Sequence, residues 1–284
     1  MKAASFDYAR PTSTGDAIAL LGTGAGMNKP VAGGQSLGPM MNLRLAQPEM
    51  LIDLRAIAAL DGWVDVPDVE PDAIVLGACT THAAIEDGKV PDPTRGLMPY
   101  VARNIAYRAV RNRGTIGGSL AHADPAADWI NVMALLDAQY LVTGPGGSRI
   151  VGNAGWMSGA FTTALAEDEI LTGVRIAKLS ASARWSYYKF NRKPGEFAEA
   201  IAAFVVDPVR GICRAVIGAI EATPFVIADA SPLVDGWNEP FARAQLQAAG
   251  LAPDTYEYRI HAVALERAAQ ALSAPNMSLT GKAE

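Results

Sequence analysis

Arg111-Asn112-Arg113-Gly114-Thr115-Ile116-Gly117-Gly118-Ser119-Leu120-Ala121-His122-Ala123-Asp124-Pro125-Ala126-Ala127-Asp128 is the most informative stretch of this chain. Its paired glycines, Gly117 and Gly118, lie between the hydroxyls of Thr115 and Ser119. Paired glycines let the backbone turn sharply, so that successive N–H groups can face one anion. Asp124-Pro125 then predicts a helix start, because aspartate caps well and proline suits the first helical position. Trp129, Val132, Met133 and Leu136 fall on one face of that helix. Asp128 would be an acid in its first turn, where the helix dipole favours one.

Two other glycine-rich segments compete for a phosphate. Ala32-Gly33-Gly34-Gln35-Ser36-Leu37 offers a second glycine pair and one hydroxyl donor. Alone, it fits a phosphate cradle or a plain turn. Taken with Gly114–Ser119, it could close on one diphosphate from the other side and hold a dinucleotide without a Rossmann helix. Neither loop carries the Lys-Ser/Thr of a P-loop, which disfavours nucleoside triphosphate hydrolysis. The third segment, Gly22-Thr23-Gly24-Ala25-Gly26, follows a helical stretch (14–21) capped by Thr14, with Asp16 in its first turn. Met27 stands where a Rossmann fingerprint needs glycine, so the segment reads as a helix-stopping loop.

Strands are expected at 51–54, 73–79, 140–142, 149–151 and 168–177, with a hairpin turn at Gly144–Ser148 and a helix from Thr80 or Thr81. A helix over 97–111 ends in a cluster of Arg103, Arg108 and Arg111, followed by Arg113. Cations suit a helix C-terminus, and a docking surface for a partner is the second reading. Beyond 177–182 the pattern changes to strands at 185–190, 200–207 and 213–219, helices at 242–250 and 262–272, and a loose tail from Ser273.

Half of the 284 residues are hydrophobic and 19% are charged, the composition of an ordered protein of two or three compact units. A net charge of -5 gives no reason to expect nucleic-acid binding. No apolar run is long enough to span a membrane, and the N-terminus lacks a secretory signal, so a cytoplasmic location is expected. Cys79 and Cys213 cannot supply the four thiolates of an iron–sulfur cluster, and His82, His122 and His261 lack metal-ligand spacing. Any redox chemistry must then use a bound organic cofactor.

Ala32–Leu37, Asp53-Leu54 and Arg111–Asp128 resemble the FAD-binding medium subunit of the xanthine dehydrogenase / carbon monoxide dehydrogenase family of molybdenum hydroxylases. Leu76–Glu86, Asp168–Leu171 and Tyr187-Tyr188-Lys189-Phe190 with Arg192-Lys193 match it in character. The resemblance covers nearly the whole chain. It implies an α+β fold: a vanillyl-alcohol-oxidase/PCMH-type FAD-binding part of two α/β subdomains (1–56 and 57–177), and a C-terminal domain (178–284) with a small antiparallel sheet and helices. It also implies that Ala32, Gly33, Gly34, Gln35, Ser36 and Leu37 hold FAD from one side and Thr115, Gly118 and Ser119 from the other. His122, Asp124 and Asp128 would border the cofactor. Ile170, Leu171, Tyr187 and Lys189 would lie near the flavin ring. Core packing is an alternative for Tyr187, and a structural role for His122.

The function implied is electron transfer. A large subunit with a molybdenum cofactor would oxidise the substrate, a small subunit with two [2Fe-2S] clusters would relay electrons, and FAD in this chain would deliver them to an external acceptor. The assembly would be a heterotrimer or a dimer of heterotrimers. Two other readings compete: a self-contained flavin oxidase of the same broad fold, and a non-enzymatic assembly module whose glycine loops are plain turns.

Overall fold

The computed structural model describes residues 2–24, 26–66 and 72–273. The N-terminal part runs β1 (Asp7–Ala9), α1 (Thr14–Thr23), β2 (Asn28–Val31), α2 (Leu37–Asn42) and β3 (Met50–Asp53), and its strands form a parallel sheet in the order β1-β3-β2. Ala17, Ile18 and Leu21 of α1 pack on Ile52 and Leu54, which is the core of this part. The cap of α1 is Ser13 and not Thr14: Ser13 Oγ accepts the Asp16 N–H at 3.1 Å. The helix outlasts its expected end, running through Gly22 to Thr23 before Gly24 stops it. Val31 pairs with Asp53, so the first glycine loop leaves the sheet at the end where β3 stops.

Asp53 is wholly buried and accepts bonds from Arg55 Nε at 2.9 Å, Arg55 Nη2 at 2.6 Å and Tyr8 Oη at 2.5 Å. Burial alone would push its carboxyl up, but these donors hold it well below the usual carboxylate range.

The second part contains β4 (Trp63–Val66), β5 (Ala73–Gly77), α3 (His82–Glu86), α4 (Leu97–Arg103), α5 (Arg108–Arg111), α6 (Ile116–His122) and α7 (Asp128–Leu136). It continues with β6 (Gln139–Gly144), β7 (Gly147–Gly152), α8 (Asn153–Trp156), a hairpin of β8 (Met157–Gly159) and β9 (Thr162–Thr163), and β10 (Ile170–Ala177). Its antiparallel sheet has the order β4-β5-β10-β6-β7. The expected helix over 97–111 is broken after Arg103, and Ala106 has a φ of 42°. Arg111 Nη1 occupies the carbonyls of Ile105 and Ala106, at 3.0 and 3.1 Å, which a continuous helix would have used itself. Two arginines of the cluster are satisfied locally: Arg108 pairs with Glu86 and Asp87, and Arg111 with Glu86.

The third part is an antiparallel sheet, β11 (Arg184–Phe190), β12 (Ala200–Asp207), β13 (Ile212–Gly218) and β14 (Phe225–Ile227), followed by α9 (Ser231–Val234), α10 (Glu239–Ala248) and α11 (Tyr256–Ser273). Strand side chains alternate between faces. Ile201, Ala203 and Val205 of β12 therefore enter the core shared with α7, while Ala200, Ala202 and Phe204 enter the core beneath α10 and α11. The sheet is thus a middle layer, which explains why β12 reads as an unbroken apolar run. Helix α7 is enclosed on every side, with all nine residues buried. No helix among the described residues is long and apolar enough to cross a membrane. The tail from residue 274 lies outside the described residues.

His82 links α3 to α7, its Nδ1 accepting the Trp129 Nε1–H at 3.0 Å inside the core. Burial, helped by the Arg111 charge, lowers its pKa from 6.5 to about 4. The unfolded chain therefore binds a proton that the folded chain refuses. His82 contributes its full share to stability above pH 6.5 and loses it as the pH falls toward 4, by about 3 kcal/mol in all. Urea unfolding between pH 7 and 4 checks this: His82→Gln is expected to flatten that part of the acid-side slope.

Candidate functional site

The first glycine loop turns at Gly34, whose φ of 69° suits glycine, and enters α2 at Leu37. Gln35 shapes the turn by donating from Nε2 to the Gly33 carbonyl at 3.1 Å. The second segment, expected as a loop, is a loop only as far as Thr115. From Ile116 it is helix α6, capped by Thr115 Oγ1, which accepts the Gly118 N–H at 3.0 Å. Gly117 is dictated by close approach: a Cβ there would fall 2.4 Å from Ala78 Cβ and 2.6 Å from the Ala78 carbonyl oxygen. Bonds from Ile116 N to Thr80 O and from His82 N to Gly114 O, both 2.9 Å, fasten the segment to the end of β5.

The two glycine segments meet. A Cβ on Gly33 would lie 2.2 Å from the Arg113 carbonyl oxygen and 2.6 Å from Gly114 Cα. A Cβ on Gly118 would lie 3.8 Å from Ala32 Cβ. Backbone presses on backbone at the first contact, so only glycine fits there. Among the described residues, the amides of Gly33, Gly34, Gln35, Ser36 and Thr115 donate to no protein acceptor, and neither do the hydroxyls of Ser36 and Ser119. Free donors on two touching segments form a cradle suited to the diphosphate of a dinucleotide. These residues fit the FAD that the sequence resemblance implies.

A second cluster joins α7 to the third sheet. Asp128, 5% exposed, accepts Tyr187 Oη–H at 2.6 Å and Lys189 Nζ–H at 2.8 Å. Burial, reinforced by the Asp128 charge, pushes the Tyr187 phenol well above its ordinary pKa. Tyr187 also meets the edge of Tyr100, with ring centres 6.4 Å apart. The three residues expected separately at the cofactor thus form one ionic and hydrogen-bonded unit.

Helix α7 begins at Asp128 and not at Asp124. The Asp124 carboxylate accepts the Ala126 N–H at 2.9 Å, so it closes a turn between the helices. His122, at the end of α6, lies with its ring 5.1 Å from that of Phe161, and burial lowers its pKa against the pull of Asp124. Ile170 and Leu171 point into cores, Ile170 among the residues under α1 and Leu171 among those around α7. Burial pushes the Cys79 thiol up to about 12, so it stays protonated at neutral pH.

Residues 4–178 match the family described as the FAD binding domain in molybdopterin dehydrogenase, a span that takes in both glycine loops and Asp128. The chain belongs to this family. It is 40% identical over 209 residues to the carbon monoxide dehydrogenase medium chain of Afipia carboxidovorans, covering 74% of this chain and 71% of that one. Identity to the nicotine 6-hydroxylase medium subunit of Paenarthrobacter nicotinovorans is 35% over 243 residues, 83% of this chain and 82% of that one. The carbon monoxide dehydrogenase structure from Hydrogenophaga pseudoflava contains a chain that superimposes with a TM-score of 0.85 at 32% identity, over 96% of this chain and 98% of that one. As a family member the protein is an oxidoreductase component with an α+β fold, and its cofactor is FAD.

Gly33→Ala is expected to part the loops and weaken FAD binding roughly 10- to 100-fold, the equivalent of about 1–3 kcal/mol of overpacking. Gly38→Ala, with nothing within 4 Å of its new Cβ, leaves binding unchanged in the same fluorescence titration. Lys189→Met strands a buried carboxylate and should cost about 3–5 kcal/mol in urea unfolding, much of it recovered by adding Asp128→Asn.

Proposed function

We propose that this chain is the FAD-binding electron-transfer subunit of a heteromeric molybdenum hydroxylase. The observation that carries the reading is the contact of Gly33 with Arg113 and Gly114, which joins the unpartnered amides of Gly33 to Ser36 to the segment that carries the unpartnered Thr115 amide. In this reading Ala32 to Leu37 grip the diphosphate from one side, and Thr115, Gly118 and Ser119 from the other. Asp128 faces the sugar hydroxyls, Tyr187 and Lys189 attend the ring, and Ile170, Leu171, His122 and Asp124 border the cofactor. Bound FAD supplies a centre that takes electrons singly and releases them in pairs. The units are 1–56 and 57–177, which enclose the cofactor, and 178–284, which braces it through β11.

Partners follow from what the chain does not supply. Its only thiols, Cys79 and Cys213, are too few for a cluster ligated by four cysteines. Two [2Fe-2S] clusters then belong to a small subunit and the molybdenum cofactor to a large one, in a heterotrimer or a dimer of heterotrimers in the cytoplasm. The relatives' own names, medium chain and medium subunit, support such a division. External acceptors take the electrons from this chain.

Expressed alone, the chain should retain FAD and hydroxylate no substrate. Tagged and purified from its host, it should bring down two further subunits together with molybdenum and iron. Substrate turnover by the isolated chain would refute the subunit reading in favour of a self-contained oxidase. A colourless protein that takes up no FAD would refute the cofactor reading in favour of an assembly module.

A further inference from the structure

Asn131 is a polar residue fully buried in the second turn of α7. Its Nδ2 donates to the carbonyls of Pro125 at 3.0 Å and Ala127 at 2.9 Å. Both carbonyls lie in the irregular segment between α6 and α7. Its Oδ1 is buried and has no hydrogen-bond partner among the described residues. Burying an unpaired polar atom is unfavourable, so an apolar residue would serve packing better here unless the two donated bonds matter.

The third sheet faces this side chain. A Cβ on Gly218, the last residue of β13, would fall 2.0 Å from Asn131 Oδ1 and 2.4 Å from its Cγ. The Gly218 carbonyl lies 3.0 Å from His261 Nε2, which ties that strand end to α11. Directly after the segment held by Asn131 comes Asp128, which takes Tyr187 and Lys189 from β11 of the same sheet. One sheet therefore meets one short stretch of chain at two points, by packing at Gly218 and by charge at Asp128.

We propose that Asn131 is a positioning residue for FAD, fixing residues 125–127 so that the Asp128 carboxylate is presented at a set place, and that Gly218 leaves the room this requires. The proposal rests on the reading of Asp128 as a cofactor residue. The full chain carrying Asn131→Leu or Gly218→Ala, each alone and each in an Asp128→Asn/Lys189→Met background, tests it by FAD fluorescence titration, with apoprotein melting measured alongside. Each single variant is expected to weaken FAD roughly tenfold, as for one lost hydrogen bond, and to add no further loss in the background that lacks the Asp128 carboxylate. Unchanged affinity in the single variants, or an equal loss in both backgrounds, would overturn it, since general loosening does not depend on Asp128. A background protein that binds FAD as tightly as the parent would remove the Asp128 reading first, and this proposal with it. Gly218→Ala leaves every residue of α7 intact and carries the same comparison if Asn131→Leu yields no folded protein.

Discussion

Where Gly33 approaches the Arg113 carbonyl, two backbone segments from different sheets come closer than any side chain would permit. Each segment is fixed from behind. The first hangs on the end of β2, beside a buried Asp53 held by Arg55 and Tyr8. The second is fastened to the end of β5 and seated on Ala78 through Gly117. Neither loop is a phosphate site by composition alone. In the proposed function their meeting is what makes one, since both segments already hold ordered backbone with unpartnered amides and little entropy remains to be lost on binding.

Helix α7 extends this order to the rest of the molecule. It lies between the second and third sheets, and its buried polar residues serve neighbouring segments: Asp128 engages β11, and Asn131 engages the residues before the helix. A buried ion pair is weak evidence of stability, since desolvation offsets much of its attraction. Its value here is orientation. Lys189 brings a cation into the interior only because Asp128 meets it there, and the pair fixes how the C-terminal sheet sits against the helix.

Much of this was legible in the sequence because local chemistry decided it. The short apolar runs of residues 170–177 and 200–207 gave strands, and Gly144–Ser148 gave the hairpin. Other features depend on distant partners that periodicity cannot see. The break after Arg103 arises because Arg111 claims two carbonyls, with no glycine or proline to announce it. Asp124-Pro125 has the chemistry of a helix start, but the Asp124 carboxylate is spent on a turn and the helix waits until Asp128. Helix α6 was hidden because paired glycines are poor helix formers, and here packing against Ala78 outweighs that propensity. The two glycine segments could be recognised in the sequence as candidates for one site. Nothing in either announced that Gly33 touches Arg113, or that Asn131 and Gly218 stand face to face.

The central claim is that both segments grip one diphosphate. Amide chemical shifts of the isotope-labelled apoprotein, followed as FAD is added, test it directly. The Gly33, Gly34, Gln35, Ser36 and Thr115 amides should shift together and saturate at one equivalent. Shifts confined to one segment, or centred on Gly22–Gly26, would contradict it.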